Sequence, residues 1–147
     1  GLSGELGHIS INQSGPSCSC GNRGCLELYA SIPMLLKQAH AKMEWSQLVE
    51  LAKQGEAKAL SILQQEARYL ATGIINTVNM LDINTILLGG DIMDVYDIIA
   101  PMIHQRVNQM SLVGSFGEIK VLPSHSGWES TLLAAANIVY EDYFSDL

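Results

Sequence analysis

The feature that most constrains this chain is the crowding of His8, Cys18, Cys20 and Cys25, which include all three of its cysteines, into one short glycine-rich stretch. Three thiolates and one imidazole form a Cys₃His set, a familiar tetrahedral shell for structural zinc in which the protein fills every position. A closed shell leaves no place for metal-bound water, so the expected metal fastens a loop and performs no hydrolysis. The competing readings are a disulfide with one thiol left over, or three buried thiols with no special role. A bridge between Cys18 and Cys20 would close a very small ring, and the first residues show no secretory pattern that would favour an oxidising compartment. Gly15, Pro16, Gly21 and Gly24 surround the thiols, supplying the tight turns that ligands so close in sequence need in order to converge. Zinc is therefore the expectation. Two carboxylates, Glu5 and Glu27, bracket the cluster.

The string Glu5-x-x-His8, followed by Cys18-x-Cys20-Gly21-x-x-Gly24-Cys25-x-Glu27, resembles the signature of the ROK family of repressors, open reading frames and sugar kinases. The match is dense over residues 1–31 and sparse beyond. The resemblance implies a structural zinc on His8, Cys18, Cys20 and Cys25, and a monosaccharide whose hydroxyls meet Glu5, His8 and Glu27. Carboxylates suit that role, because each accepts two hydroxyl hydrogen bonds, and a metal on one imidazole nitrogen leaves the other able to donate. The run Glu27-Leu-Tyr-Ala-Ser31 is similar to the xylose-repressor branch of the family.

Length and charge bound the rest. At 147 residues, 48% of them apolar, the chain is read as one domain able to bury a core. A net charge of −7 with only eight scattered Lys and Arg disfavours direct contact with nucleic acid. No apolar run approaches the roughly eighteen residues that cross a bilayer, so a cytoplasmic setting with no membrane partner is expected. Family members place a glycine-rich hairpin just before the first motif, so the chain is expected to be the C-terminal portion of a longer protein.

Along the chain, Ile9–Ile11 reads as a short strand entering the metal loop. Leu26 opens a helix with Glu27 on its first turn, near the positive end of the helix dipole. A boundary falls at Ser31-Ile32 beside Pro33. Residues 34–54 read as helical with a break at Met43–Trp45, Trp45-Ser46 capping the second piece. Leu48, Val49, Leu51 and Ala52 should face inward, with Trp45 packing as a satellite of the core. Residues 56–81 form the longest helix, with an apolar face of Leu60, Leu63, Ala67, Leu70, Ile74, Val78 and Leu81, and with Gly73, Asn76 and Asn79 on its polar side. Thr85–Leu88 reads as a buried strand ending at Gly89-Gly90, with Asp91 or Asp94 capping the next helix. Glycines between a strand and a helix suit phosphate, and in the family's kinases the equivalent pair lines the adenine-nucleotide site, so Gly89 and Gly90 are candidate cofactor contacts. A helix over 98–110 starting near Ile99, a strand at Ile119–Leu122 and a terminal helix over 130–144 complete the pattern, His104 reading as a surface or satisfied residue.

The mixture implies an α/β fold, and the resemblance implies the C-terminal part of an actin-like, ribonuclease H-like domain with a zinc-bound loop. A sheet lacking its first hairpin would leave an unpaired edge, favouring a homo-oligomer. Three functions follow. One is a sugar-sensing effector domain of a repressor whose DNA contacts would come from an upstream helix-turn-helix. A second is half of an ATP-dependent sugar kinase, whose base, an aspartate in the family, would lie upstream. The third is a zinc-stapled interaction domain with no sugar. Trp128 and Glu129 replace the small residues that family kinases carry near the nucleotide, which favours the repressor and no catalytic residue in this chain.

Overall fold

The computed structural model describes residues 4–39 and 42–124. Helix α1 (Ile32–Ala39) begins with Pro33 in its first turn, where the missing N–H has no intrahelical acceptor to lose. Helix α2 (Trp45–Lys53) starts from Glu44, whose side chain caps the Gln47 backbone while Gln47 Oε1 accepts the Glu44 N–H at 2.9 Å. The expected cap at Trp45-Ser46 is thus one residue late. A reciprocal pair satisfies two orphan donors, and Trp45 serves elsewhere: its indole N–H donates to Asp94 Oδ2 at 2.9 Å. Leu48, Val49 and Ala52 are buried as expected, whereas Leu51 is only half-buried.

Helix α3 (Ala57–Leu81) is the spine. The Glu56 carboxylate accepts the Ala59 N–H at 2.7 Å, and backbone hydrogen bonds from Ala59 and Lys58 hold its pKa below the ordinary value. The helix stops where Asp82 turns left-handed, with φ 53° and ψ 45°. Leu63, Ala67, Ile74 and Val78 are buried as the period predicts, while Leu81 is 58% exposed. The polar-side placement of Gly73 is corrected. Ile62, Glu66 and Gly73 form a second buried stripe, because a helix flanked by α1 and α2 as well as by the C-terminal half has two faces to cover. Asn79 does what a capping asparagine does, its Oδ1 accepting the Leu112 N–H at 2.9 Å.

Strand β1 (Thr85–Leu88), helix α4 (Tyr96–Met110) and strand β2 (Lys120–Pro123) form one parallel crossover unit, registered from Thr85 opposite Lys120 to Leu88 opposite Pro123. Leu88, Ile119 and Val121 bury inward; Leu87 and its register partner Leu122 face out, so the described residues cover β1 on one face. Two boundary expectations fail here. No aspartate side chain caps the turn at Asp91–Val95, since Asp94 is occupied by Trp45. Helix α4 starts at Tyr96 rather than Ile99, which places Pro101 inside it on the exposed side. The Ile9–Ile11 strand reduces to a single antiparallel bridge between Ser10 and Cys25, because turns on both sides end the pairing. The terminal helix, Trp128 and Glu129 lie outside the described residues.

Glu66 is 3% exposed, and Oε2 has no hydrogen-bond partner among the described residues. Burial pushes its pKa from 4.5 up to about 7. The folded chain thus holds this proton more tightly than the unfolded one, so its contribution to stability falls as pH rises from the unfolded to the folded value. At about 1.4 kcal/mol per pH unit, the loss is on the order of 3 kcal/mol. Glu66→Gln is expected to flatten that slope and stabilise the protein above neutral pH; urea denaturation across pH checks it, and an unchanged slope would refute the assignment.

Candidate metal centre

The loop is laced before any ligand is considered. Ile11 N–H donates to Gly24 O at 2.9 Å, Leu26 N–H to Ile9 O at 2.9 Å and Cys18 N–H to Asn22 O at 2.8 Å. The Ser10 hydroxyl donates to Arg23 O at 2.7 Å, and the Arg23 guanidinium reaches Ser17 Oγ at 3.2 Å. Gly24, with φ 62°, passes so close to Asn12 O that a Cβ there would collide with backbone. These contacts fold residues 9–26 back on themselves and bring distant positions together.

The expected four are brought together. His8, Cys18, Cys20 and Cys25 each offer one ligand atom, all within 4.8 Å of one another. Cys20 Sγ and Cys25 Sγ are 3.6 Å apart, and Cys18 Sγ lies 3.7 Å from His8 Nδ1. A tetrahedral ion with metal–sulfur bonds of about 2.3 Å spreads its ligand atoms roughly 3.8 Å apart, so the set fits such an ion with little movement. Cys25 is fully buried, Cys18 nearly so, and Cys20 is exposed; all three thiols are free. A disulfide is therefore not part of this loop's architecture.

Electrostatics separates the four. The hydrogen bond with Cys18 raises the His8 pKa above 6.5, partly opposed by desolvation and helped by the charges of Glu27 and Glu5. A backbone hydrogen bond at Asn22 and one with Cys18 lower the pKa of Cys20, whereas burial pushes Cys25 up to about 12. A metal cation would reverse the preference of Cys25, because ligation deprotonates a thiol outright.

The bracketing carboxylates differ. Glu27, in the 3₁₀ turn Leu26–Leu28, reaches the cluster directly: the Cys18 thiol donates to its Oε1 at 2.8 Å, and His8 Nδ1 is 3.2 Å from the same atom. Glu5 is exposed at the start of the Leu6–His8 turn and acts on His8 through its charge. Gly89 and Gly90 stand apart from the cluster; Gly90, with φ 78°, turns the chain from β1 into the Asp91–Val95 turn. Sequence reasoning missed Tyr29. Its hydroxyl accepts from Asn12 Nδ2 at 3.2 Å, and its ring lies 5.0 Å from that of Tyr69 on α3. An aromatic two residues after Glu27 was the available signal.

The family profile for ROK matches residues 1–142. The chain belongs to the ROK family. Among ROK relatives, the xylose repressor of Bacillus spizizenii is 34% identical over 97% of this chain and 38% of its own length. The N-acetylmannosamine kinase of Vibrio cholerae is 36% identical over 92% of this chain and 47% of its own. The chain thus spans less than half the length of either relative. A crystal structure of a ROK transcriptional regulator, a homologue of the E. coli MLC protein, matches with a TM-score of 0.71 at 31% identity, covering 82% of this chain and 34% of that one. Among the described residues no helix is long and apolar enough to cross a membrane.

Gly24→Ala is expected to open the loop, since the new methyl meets the Asn12 carbonyl and the left-handed backbone is strained. Equilibrium metal titration should show affinity weakened by roughly tenfold or more, as for other disturbances around a ligand shell; unchanged affinity would show that this turn does not set the ligand geometry.

Proposed function

We propose that this chain is the sugar-sensing part of a ROK transcriptional repressor, in which His8, Cys18, Cys20 and Cys25 hold a structural zinc ion and Glu5, His8 and Glu27 read a monosaccharide. The observation that carries this reading is the Glu27 carboxylate standing against the His8 imidazole at the edge of four converging ligand atoms. Zinc is the metal because three thiolates and an imidazole, in a closed set, match its preference for sulfur and nitrogen in tetrahedral array. With Nδ1 facing the cluster, His8 would carry its proton on Nε2 and donate to a sugar hydroxyl. Glu27 and Glu5 would each accept from hydroxyls, which makes the site selective for the stereochemistry of a polyol. The metal thus serves by fixing His8 and the loop that carries Glu27.

The repressor reading is supported by similarity to the xylose repressor over 97% of the chain and by the run Glu27–Ser31. Sugar binding would bias a homo-oligomer between DNA-bound and released states, DNA contact lying in an upstream helix-turn-helix and the protein working in the cytoplasm. The second reading, half of an ATP-dependent sugar kinase, is favoured by the kinase relative and by the glycine turn at Gly89-Gly90, which would approach the nucleotide.

Dialysis against a strong chelator is expected to release one zinc ion per chain and lower the melting temperature; identical melting with no metal released would remove the zinc assignment. Glu27→Gln should weaken monosaccharide binding by about 2 kcal/mol, roughly thirtyfold, while circular dichroism stays unchanged. Equal affinity would take Glu27 out of the sugar site. Transfer of phosphate from ATP to a monosaccharide by the intact protein would replace the repressor reading with the kinase.

A further inference from the structure

The groove between α3 and α4 lies outside the metal centre. Gln64 and Arg68 stand one turn apart on α3, and Gln105, Arg106 and Gln109 line the facing side of α4, enclosing a cleft of about 240 Å³. The chain carries a net charge of −7, yet among the described residues this cleft has no carboxylate in its lining and two of the eight basic residues. Neither arginine forms an ion pair among the described residues. Among the described residues, Arg106 Nε is buried without a hydrogen-bond partner. A buried N–H on a charged group is costly to leave unmade, and native structures rarely keep one unless something supplies the acceptor. The two guanidinium groups bring five N–H donors each, and the three glutamine amides two each, so the lining is rich in donors.

We propose that this cleft binds a phosphate group, as inorganic phosphate or as a small phosphate monoester. Guanidinium forks match phosphate oxygens in pairs, and two of them from two helices suit a dianion better than a single carboxylate. Sites for drug-sized ligands run from about 300 to 1,000 Å³, so this smaller cleft suits phosphate bearing only a few carbon atoms. The glutamine amides complete the hydrogen bonding to the remaining oxygens or to ester hydroxyls. This site is independent of the sugar reading, sharing no residue with it.

Isothermal titration calorimetry of the intact protein tests it, with inorganic phosphate and glycerol 3-phosphate as probes in chloride buffer of matched ionic strength and acetate as the carboxylate control. Saturable binding of at least one phosphate probe is expected. Arg68→Gln, whose side chain is exposed, and Arg106→Gln should each weaken it by roughly tenfold or more, whereas Lys53→Gln on α2 should leave it unchanged. Tighter binding of glycerol 3-phosphate identifies a monoester site, and equal affinities identify inorganic phosphate. No saturable binding, undiminished affinity in Arg68→Gln, or equal binding of acetate would each overturn the proposal.

Discussion

The loop that gathers His8 and the three cysteines is seated on helix α3 through Leu26. Leu26, directly after the last cysteine, is 4% exposed and presses its Cδ2 into the space beside Gly73, where a Cβ would stand only 2.5 Å away. Helix α3 is the element that α1, α2 and α4 all pack against, so docking Leu26 there fixes the loop relative to the whole core. Neighbouring Tyr29 and Tyr69 extend the contact along the same helix with tilted rings. Without a side chain at 73 the loop approaches the helix closely, and the Leu26–Leu28 turn can present Glu27 to the cluster rather than to the core.

The centre itself joins groups with opposed tendencies. Buried Cys25 resists losing its proton, exposed Cys20 gives it up more readily, and His8 holds a proton more firmly under the influence of Cys18. A cation among them would settle all four at once, in the forms that ligate. The carboxylate of Glu27, within reach of both Cys18 and His8, adds negative charge at the rim of the same site.

Much of this was legible in the residues. The clustering of His8, Cys18, Cys20 and Cys25 is announced by residue type and spacing, and the glycines that let them converge are visible between them. The long helix and both strands followed from period and run length. What was not legible depended on partners far away in sequence. Gly73 looked polar-facing because its neighbour Leu26 lies 47 positions earlier, and Asp94 looked like a cap because its partner Trp45 lies 49 residues away. The start of α4 differs because Pro101 argues locally for a helix beginning beside it, whereas the Asp91–Val95 turn runs straight into Tyr96, whose backbone is already helical at φ −51° and ψ −49°. Glu27 was placed beside the sugar by resemblance; its direct contact with Cys18 and His8 is a matter of geometry that no spacing reveals.

The bonds that lace the loop connect residues close in sequence: Ile9 with Leu26, Ile11 with Gly24, Pro16 with Gly24, and Asn12 with Tyr29 at most. Such a segment is suited to open as a local cooperative unit while α3 and α4 stay paired, since among the described residues it meets α3 through Leu26 and the Tyr29–Tyr69 ring pair. Ligation would then act as a latch on this one unit rather than as a rivet through the domain. The protein could in that way exchange its loop between ordered and open forms at a free-energy cost well below that of global unfolding.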